Sequence, residues 1–118
     1  MTIAKATRYR TYNVSAEVEN QTYVLYTCPA NCVAYMSLLF FTNANGNTTV
    51  TISWYRTRYN TTFNIVGGKN MTSGEFVQFS NGFVVLEPGD EIRVVASGNA
   101  SPNIDALCTV EEEFKPVG

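Results

Sequence analysis

Short runs of alternating apolar and polar residues, separated by turn residues, fill almost the whole chain. Residues 48–56 are an example, because Val50, Ile52 and Trp54 would share one face of a strand there and point to a core. A helical period of three to four residues persists nowhere over three turns. The pattern therefore predicts an all-β protein.

Eight or nine runs have the length and composition of strands. We predict strands over residues 7–14, 21–27, 32–42, 48–56, 61–66, 75–79, 83–86, 92–96 and 104–114. The run 32–42 is nearly continuous apolar sequence, which predicts a strand buried on both faces. Many short strands spaced by turns indicate a single antiparallel β-sandwich, either a jelly roll or an immunoglobulin-like fold.

Three turns carry specific chemistry. The Asn45-Gly46 step predicts a hairpin between the strands 32–42 and 48–56. In Glu87-Pro88-Gly89-Asp90, proline presets φ, glycine permits a positive φ and the aspartate can bond the backbone, so we expect a second hairpin from 83–86 to 92–96. A third turn is expected at 58–60, and Gly67-Gly68 is expected to end the strand 61–66.

The length of 118 residues is that of one domain, so we predict a single domain over 1–118. Residues 1–14 are expected to form an extended N-terminal arm, and residues 111–118 a C-terminal tail. The run Glu111–Glu113 is interpreted as part of a solvated terminus or interface fringe.

Charge and composition exclude several classes of partner. Only 15% of residues are charged, and 14 Thr and 12 Asn supply much of the polar surface. A net charge of −2 argues against nucleic acid, which requires a basic surface. The longest apolar run, 36–41, is too short to cross a bilayer, and the N-terminus has no signal-peptide pattern. We therefore expect no nucleic-acid and no membrane partner, and synthesis in a cytosol.

The residues that usually carry catalysis are missing or isolated. The chain has no histidine, so the common general base and metal ligand are absent. Gly67-Gly68-Lys69 lacks the length and the following Ser or Thr of a phosphate-binding loop. Cys28, Cys32 and Cys108 are an odd set, for which free thiols, one disulfide or a metal site are the alternatives, with free thiols favoured in a cytosol. We predict no enzyme activity, no cofactor and no metal.

Six Asn-x-Ser/Thr triplets exceed what this composition gives by chance, at Asn13, Asn20, Asn47, Asn60, Asn70 and Asn99. Glycosylation would need a secretory route, which the N-terminus does not indicate. Asn in turns beside Thr in strands also produces such triplets, and we favour that interpretation.

Two groups of Tyr and Arg are the candidate interface residues, because interfaces favour these side chains. The first group lies at one predicted hairpin end and comprises Tyr55, Arg56, Arg58 and Tyr59. The second lies in the N-terminal segment and comprises Arg8, Tyr9, Arg10 and Tyr12, where an extended segment could add to a sheet edge. An exposed hairpin with no partner is the alternative for the first group.

Two segments carry a family resemblance. VLYTCPANCVA over residues 24–34 and LEPGDEIRV over residues 86–94 resemble the strand-turn-strand opening and the late turn of small β-sandwich virion structural proteins of tailed bacteriophages. The likeness in layout spans residues 21–110. Cys28 and Cys32 stand where that family commonly has Val and Lys or Thr.

The resemblance implies a non-enzymatic virion protein assembled in the host cytoplasm. A capsid decoration or cement protein is the first expectation, with the major capsid protein, other virion proteins and copies of itself as partners. A tail, neck or fibre accessory protein is the alternative within the virion. A carbohydrate-binding β-sandwich module is the alternative outside it.

Overall fold

The computed structural model describes residues 6–115, without the side chains of residues 81–83. Its strands are β1 (Thr7–Ala16), β2 (Thr22–Thr27), β3 (Cys32–Asn43), β4 (Thr48–Arg56), β5 (Thr61–Met71), β6 (Phe76–Leu86), β7 (Glu91–Ser97) and β8 (Ile104–Phe114). A single 3-10 turn, Thr57–Tyr59, lies between β4 and β5. The all-β prediction is confirmed. No helix in residues 6–115 has the length and hydropathy to cross a bilayer.

Two four-stranded antiparallel sheets pack as a sandwich. The first sheet has the order β1-β8-β3-β6, and the second sheet has the order β2-β7-β4-β5. The chain therefore pairs its first strand with its last, its second with its seventh, its third with its sixth and its fourth with its fifth. In this nested pairing one long hairpin is rolled onto itself, which is the arrangement of a jelly roll. Of the two expected sandwich types, the fold is therefore the jelly roll.

Period-two alternation places the core. On β8, Ile104, Ala106, Cys108 and Val110 all point inward and are buried. Burial of each large apolar side chain stabilises the fold by about 1.5–3 kcal/mol. The expected inward row of β4 holds for Val50 and Ile52, whereas Trp54 is half-buried and packs against the margin of the core.

Two of the expected hairpins are wrong. The Asn45-Gly46 turn joins β3 of the first sheet to β4 of the second, and the Pro88-Gly89 turn joins β6 to β7 across the same gap. Gly46 and Gly89 do have positive φ values, 61° and 85°. Turn chemistry thus predicts the reversals correctly, but the strands on either side pair with other partners. Of the three turns, only the one between β4 and β5 closes a hairpin.

Three strand predictions also need correction. Residues 75–79 and 83–86 belong to one strand, β6. Gly67-Gly68 does not end β5, because the register shifts there and pairing continues to Met71, as at a bulge. Strand β3 is buried on one face, while its other face is half-exposed, because nothing in the described chain covers that side of the first sheet.

The terminal segments differ from the expected arm and tail. From Thr7 onward the N-terminal segment is strand β1, which pairs with β8 from Thr7 opposite Glu113 to Ala16 opposite Ile104. Strand β8 in turn continues to Phe114. The expected arm over 1–14 is therefore an edge strand from Thr7, and the expected tail over 111–118 is strand through residue 114. Residues 1–5 and 116–118 lie outside the described residues.

Candidate functional site

The outer face of the first sheet is rich in apolar and aromatic side chains. Opposed residues of antiparallel strands share a face, so Phe40 lies between Leu107 of β8 and Gln78 of β6. Phe76 stacks on Phe40 with ring centroids 5.7 Å apart and is 64% exposed. We call this surface the apolar face, after its apolar members Tyr9, Tyr35, Leu38, Phe40, Phe76, Val85 and Leu107. Glu111 and Thr109 lie among them on the same face.

The outer face of the second sheet has the opposite character. Small polar side chains dominate it, at Thr22, Thr49, Thr51, Ser53, Thr62, Asn64, Asn70 and Ser97. A hydroxyl-rich β surface is stable in water, whereas exposed aromatic side chains that adjoin one another are typical of contact sites. The two outer faces therefore differ in what they can bind.

The predicted hairpin end brings Tyr55, Arg56, Arg58 and Tyr59 together. The 3-10 turn Thr57–Tyr59 ends at Asn60, whose φ of 48° lies in the left-handed region that asparagine tolerates. The hydroxyl of Tyr55 donates to Oδ1 of Asn60 at 2.7 Å, which fixes the turn. On the outer face, the guanidinium of Arg93 lies 4.2 Å from the Tyr55 ring centroid and bonds Glu91 at 2.8 Å.

Two arginines at the hairpin end are held by aromatic rings. The guanidinium of Arg56 lies 4.9 Å from the ring centroid of Trp54 and 4.4 Å from that of Tyr59. Its Nε is buried and has no hydrogen-bond partner among the described residues. Arg58 lies 5.5 Å from the Tyr59 ring and only reaches Glu87 at 4.0 Å. We call Arg56, Arg58 and Tyr59 the tip cluster; cation–π contacts hold it in place rather than ion pairs.

Asp90 connects the hairpin to the body of the sandwich. Its carboxylate is buried and accepts N–H bonds from the Trp54 indole at 3.0 Å, the Thr57 backbone at 3.1 Å and the Glu87 backbone at 3.0 Å. The sequence predicts only a local turn bond for this residue. The two bonds to β4 and its turn bridge positions more than 30 apart in the chain, which no local pattern reveals.

The N-terminal candidates divide between core and surface. Arg8 and Tyr12 belong to the interior side of β1: Arg8 bonds Glu112, and the ring of Tyr12 lies 5.0 Å from that of Tyr26. Arg10 points to the same side and is half-exposed, 3.9 Å from the Glu112 carboxylate. Tyr9 points outward, is 69% exposed and joins the apolar face. The structure thus separates the four residues that the sequence groups.

Glu112 is a buried carboxylate, which corrects the expectation of a solvated acidic run. Its Oε1 accepts from Nε of Arg8 and its Oε2 from the hydroxyl of Tyr26, each at 2.5 Å. The bond to Glu112 raises the pKa of Arg8, and burial together with the same carboxylate raises the pKa of Tyr26. The inward alternation of β8 from Ile104 continues to Glu112, so a period-two count could have found it.

The three cysteines are buried free thiols. Burial raises the pKa of Cys28 to about 11 and that of Cys108 to about 12, and it raises the pKa of Cys32. A protonated, enclosed thiol is a weak nucleophile. Within residues 6–115, no three Cys, Asp or Glu side chains cluster in a way that could hold a metal ion.

No protein-family profile and no curated protein matches the chain. Solved structures do match it. A chain from the disulfide-linked pili that form Bacillus endospore appendages aligns with 96% of this chain and 92% of its own, at 13% identity and a TM-score of 0.61. The capsid of Helicobacter pylori bacteriophage KHP30 aligns with 97% of this chain and 95% of its own, at 13% identity and a TM-score of 0.50.

A third match is to infectious bursal disease virus of the Gx strain. It covers 92% of this chain but 33% of the viral chain, at 13% identity and a TM-score of 0.55. At these identities the likeness concerns the fold. The chain thus shares its β-sandwich with chains of a pilus and of two virus particles, in two cases over nearly the full length of both partners.

Proposed function

We propose that this chain is a non-enzymatic structural protein of a virus particle and acts as a capsid decoration or cement protein. The observation that carries the proposal is the apolar face, where exposed and half-exposed aromatic and aliphatic side chains lie on the outer surface of the first sheet. The shared fold with chains of two virus particles supports it. The major capsid protein is the proposed partner; a tail, neck or fibre position would use the same surface.

The chemistry of the apolar face suits attachment to another protein. Phe76 is 64% and Tyr9 69% exposed, and aromatic side chains are enriched at protein interfaces. Burial of one such ring contributes about 1.5–3 kcal/mol. A decoration protein that covers several of these side chains against a capsid would stabilise the particle without any catalytic group.

A carbohydrate-binding module has less support. Such a module stacks sugars on free aromatic ring faces, but the guanidinium of Arg56 occupies the faces of Trp54 and Tyr59 that adjoin it, at 4.9 and 4.4 Å. The aromatic rings of the hairpin end are therefore already occupied by a stacked arginine.

The proposal is tested on purified virus particles. They are taken from lysed cells in which the gene for this chain is expressed. Mass spectrometry is expected to find the chain in stoichiometric amount with the major capsid protein. Recombinant protein should also co-sediment with particles from which the chain has been removed. Absence from the particles, together with no co-sedimentation, would refute the proposal.

A matched pair of variants tests the surface. Phe76→Asp places a charge on the apolar face, and Thr51→Asp places the same charge on the outer face of the second sheet. We expect Phe76→Asp to abolish co-sedimentation and Thr51→Asp to leave it unchanged. Deletion of residues 1–12 is a poor test, because it removes most of β1 and the Arg8 bond to Glu112. Equal co-sedimentation of both variants with the particles would exclude the apolar face as the binding surface.

A further inference from the structure

The two ends of the sandwich differ in charge. Strand β4 runs from Thr48 to Arg56, so the tip cluster lies at the end where β4 finishes. Strand β7 is antiparallel to β4 and places Ser97 opposite Thr49. The loop after β7 therefore lies at the other end, which we call the far end.

The tip cluster offers hydrogen-bond donors that have no acceptor of their own. The Nε of Arg56 is buried without a partner, and stacking on Trp54 and Tyr59 fixes the plane of its guanidinium. The Arg58 side chain is 70% exposed, and its 4.0 Å approach to Glu87 is too long and too solvated to hold it. A guanidinium fixed by stacking is suited to bind a carboxylate or an amide oxygen.

The far end carries a negative charge beside a depression. A depression of about 470 Å³ lies there, among Glu17 of the β1–β2 loop, Ala44 and Asn45 of the β3–β4 loop, and Pro102 and Asn103 of the β7–β8 loop. Glu17 is exposed and makes no hydrogen bond or ion pair with another described residue. Oδ1 of Asn103 is buried and also lacks a partner.

Two donors of the depression are already used inside the chain. Nδ2 of Asn45 donates to the carbonyl of Ser101 at 2.6 Å, and the Ala44 backbone donates to the carbonyl of Asn103 at 2.9 Å. Glu17 is the only charged residue of the lining. The far end therefore complements the tip cluster in charge.

We infer that the tip cluster of one copy docks into the far-end depression of a second copy, with Arg58 bound to Glu17. The two surfaces are different patches of the same molecule, so the contact is heterologous, and such contacts build open chains or closed rings rather than isolated dimers. This inference does not rest on the virion proposal. It gives the chain a defined self-association surface separate from the apolar face.

The test uses charge reversal and mixing of the full-length chain. Wild-type protein at low ionic strength is expected to grow beyond dimers with concentration in sedimentation velocity, and to dissociate as salt is added. Arg58→Glu and Glu17→Lys should each remain monomeric, with association weakened roughly 100-fold, because like charges then face each other. Circular dichroism should show both variants folded, since both side chains are exposed.

A mixture of the two variants decides the geometry. Arg58→Glu keeps an intact depression and Glu17→Lys keeps an intact tip, and the two reversed charges also attract each other, so the mixture should regain growth beyond dimers with the two variants alternating. The double variant should regain growth beyond dimers. Lys69→Glu, a charge reversal on neither surface, should behave as wild type. Wild-type protein that stays monomeric, or a mixture that stays monomeric, would overturn the inference.

Discussion

The buried carboxylate of Glu112 depends on two donors, and Tyr26→Phe removes one of them with the smallest structural change. The substitution deletes only the hydroxyl that donates to Oε2. The ring keeps its place beside Tyr12, with centroids 5.0 Å apart. Arg8 keeps its bond to Oε1. The variant therefore leaves one oxygen of a buried carboxylate without its donor, and it also removes the contact of the hydroxyl with Cys28.

The expected magnitude follows from burial. Tyr26 is 2% and Glu112 0% exposed, so water cannot replace the lost donor. A hydrogen bond to a charged group contributes about 1.5–3 kcal/mol, and we expect the free energy of unfolding to fall by about 2 kcal/mol. For a domain of this size, each kcal/mol shifts the melting temperature by about 4 °C, so the midpoint should fall by about 8 °C.

Urea denaturation followed by circular dichroism measures this change. Tyr23→Phe is the matched control, because the Tyr23 hydroxyl accepts an exposed bond from the Val18 backbone and its loss should cost less than about 0.5 kcal/mol. A double-mutant cycle with Glu112→Gln should give a coupling of at least about 1 kcal/mol. Equal stabilities of Tyr26→Phe and wild type would show that Glu112 does not need the hydroxyl.

Three further predictions follow from the same contacts. Because the pKa of Cys108 is raised from 9.0 to about 12, its contribution to stability is complete below pH 9 and declines above it; by pH 11 the loss is on the order of 3 kcal/mol, and Cys108→Ala should flatten the fall in unfolding free energy between pH 9 and 11. Asp90→Ala should cost about 3 kcal/mol in urea denaturation and alter the fluorescence of Trp54, which loses its indole acceptor; unchanged fluorescence would argue against that bond. Gly89→Ala should cost about 1–2 kcal/mol because its φ is 85°, whereas Gly67→Ala, at a glycine without positive φ, should cost less than about 0.5 kcal/mol; equal thermal shifts would contradict this reasoning.

Strand positions were predictable where one face of the strand is buried and the other is exposed to solvent. The alternation of β8 from Ile104 to Val110 is visible in the sequence and corresponds to its buried row. Strand partners were not predictable in the same way. The Asn45-Gly46 turn fixes a chain reversal, but the first strand pairs with the eighth through contacts about 100 residues apart, which turn chemistry does not encode.

The hairpin end was predictable because its Tyr and Arg side chains are close in sequence and flank a turn. The roles of Asp90 and Glu112 were harder to predict, since their partners come from other strands. Asp90 bonds Trp54, and Glu112 bonds Arg8, 104 positions away. The inward position of Glu112 follows from the alternation of β8, but its role depends on donors from other strands.

Association through strand addition at β1 is disfavoured by the charges of that strand. Strand β1 is a free edge of the first sheet and pairs with β8 without a register shift, the geometry that invites another strand to add. Arg8 and Arg10 point to the interior side of this edge, toward Glu112. Inward-pointing charges protect edge strands, because a docked strand would separate them from water. Contacts between copies and with a particle are therefore expected at the tip, the far end and the apolar face, where side chains rather than free backbone groups are exposed.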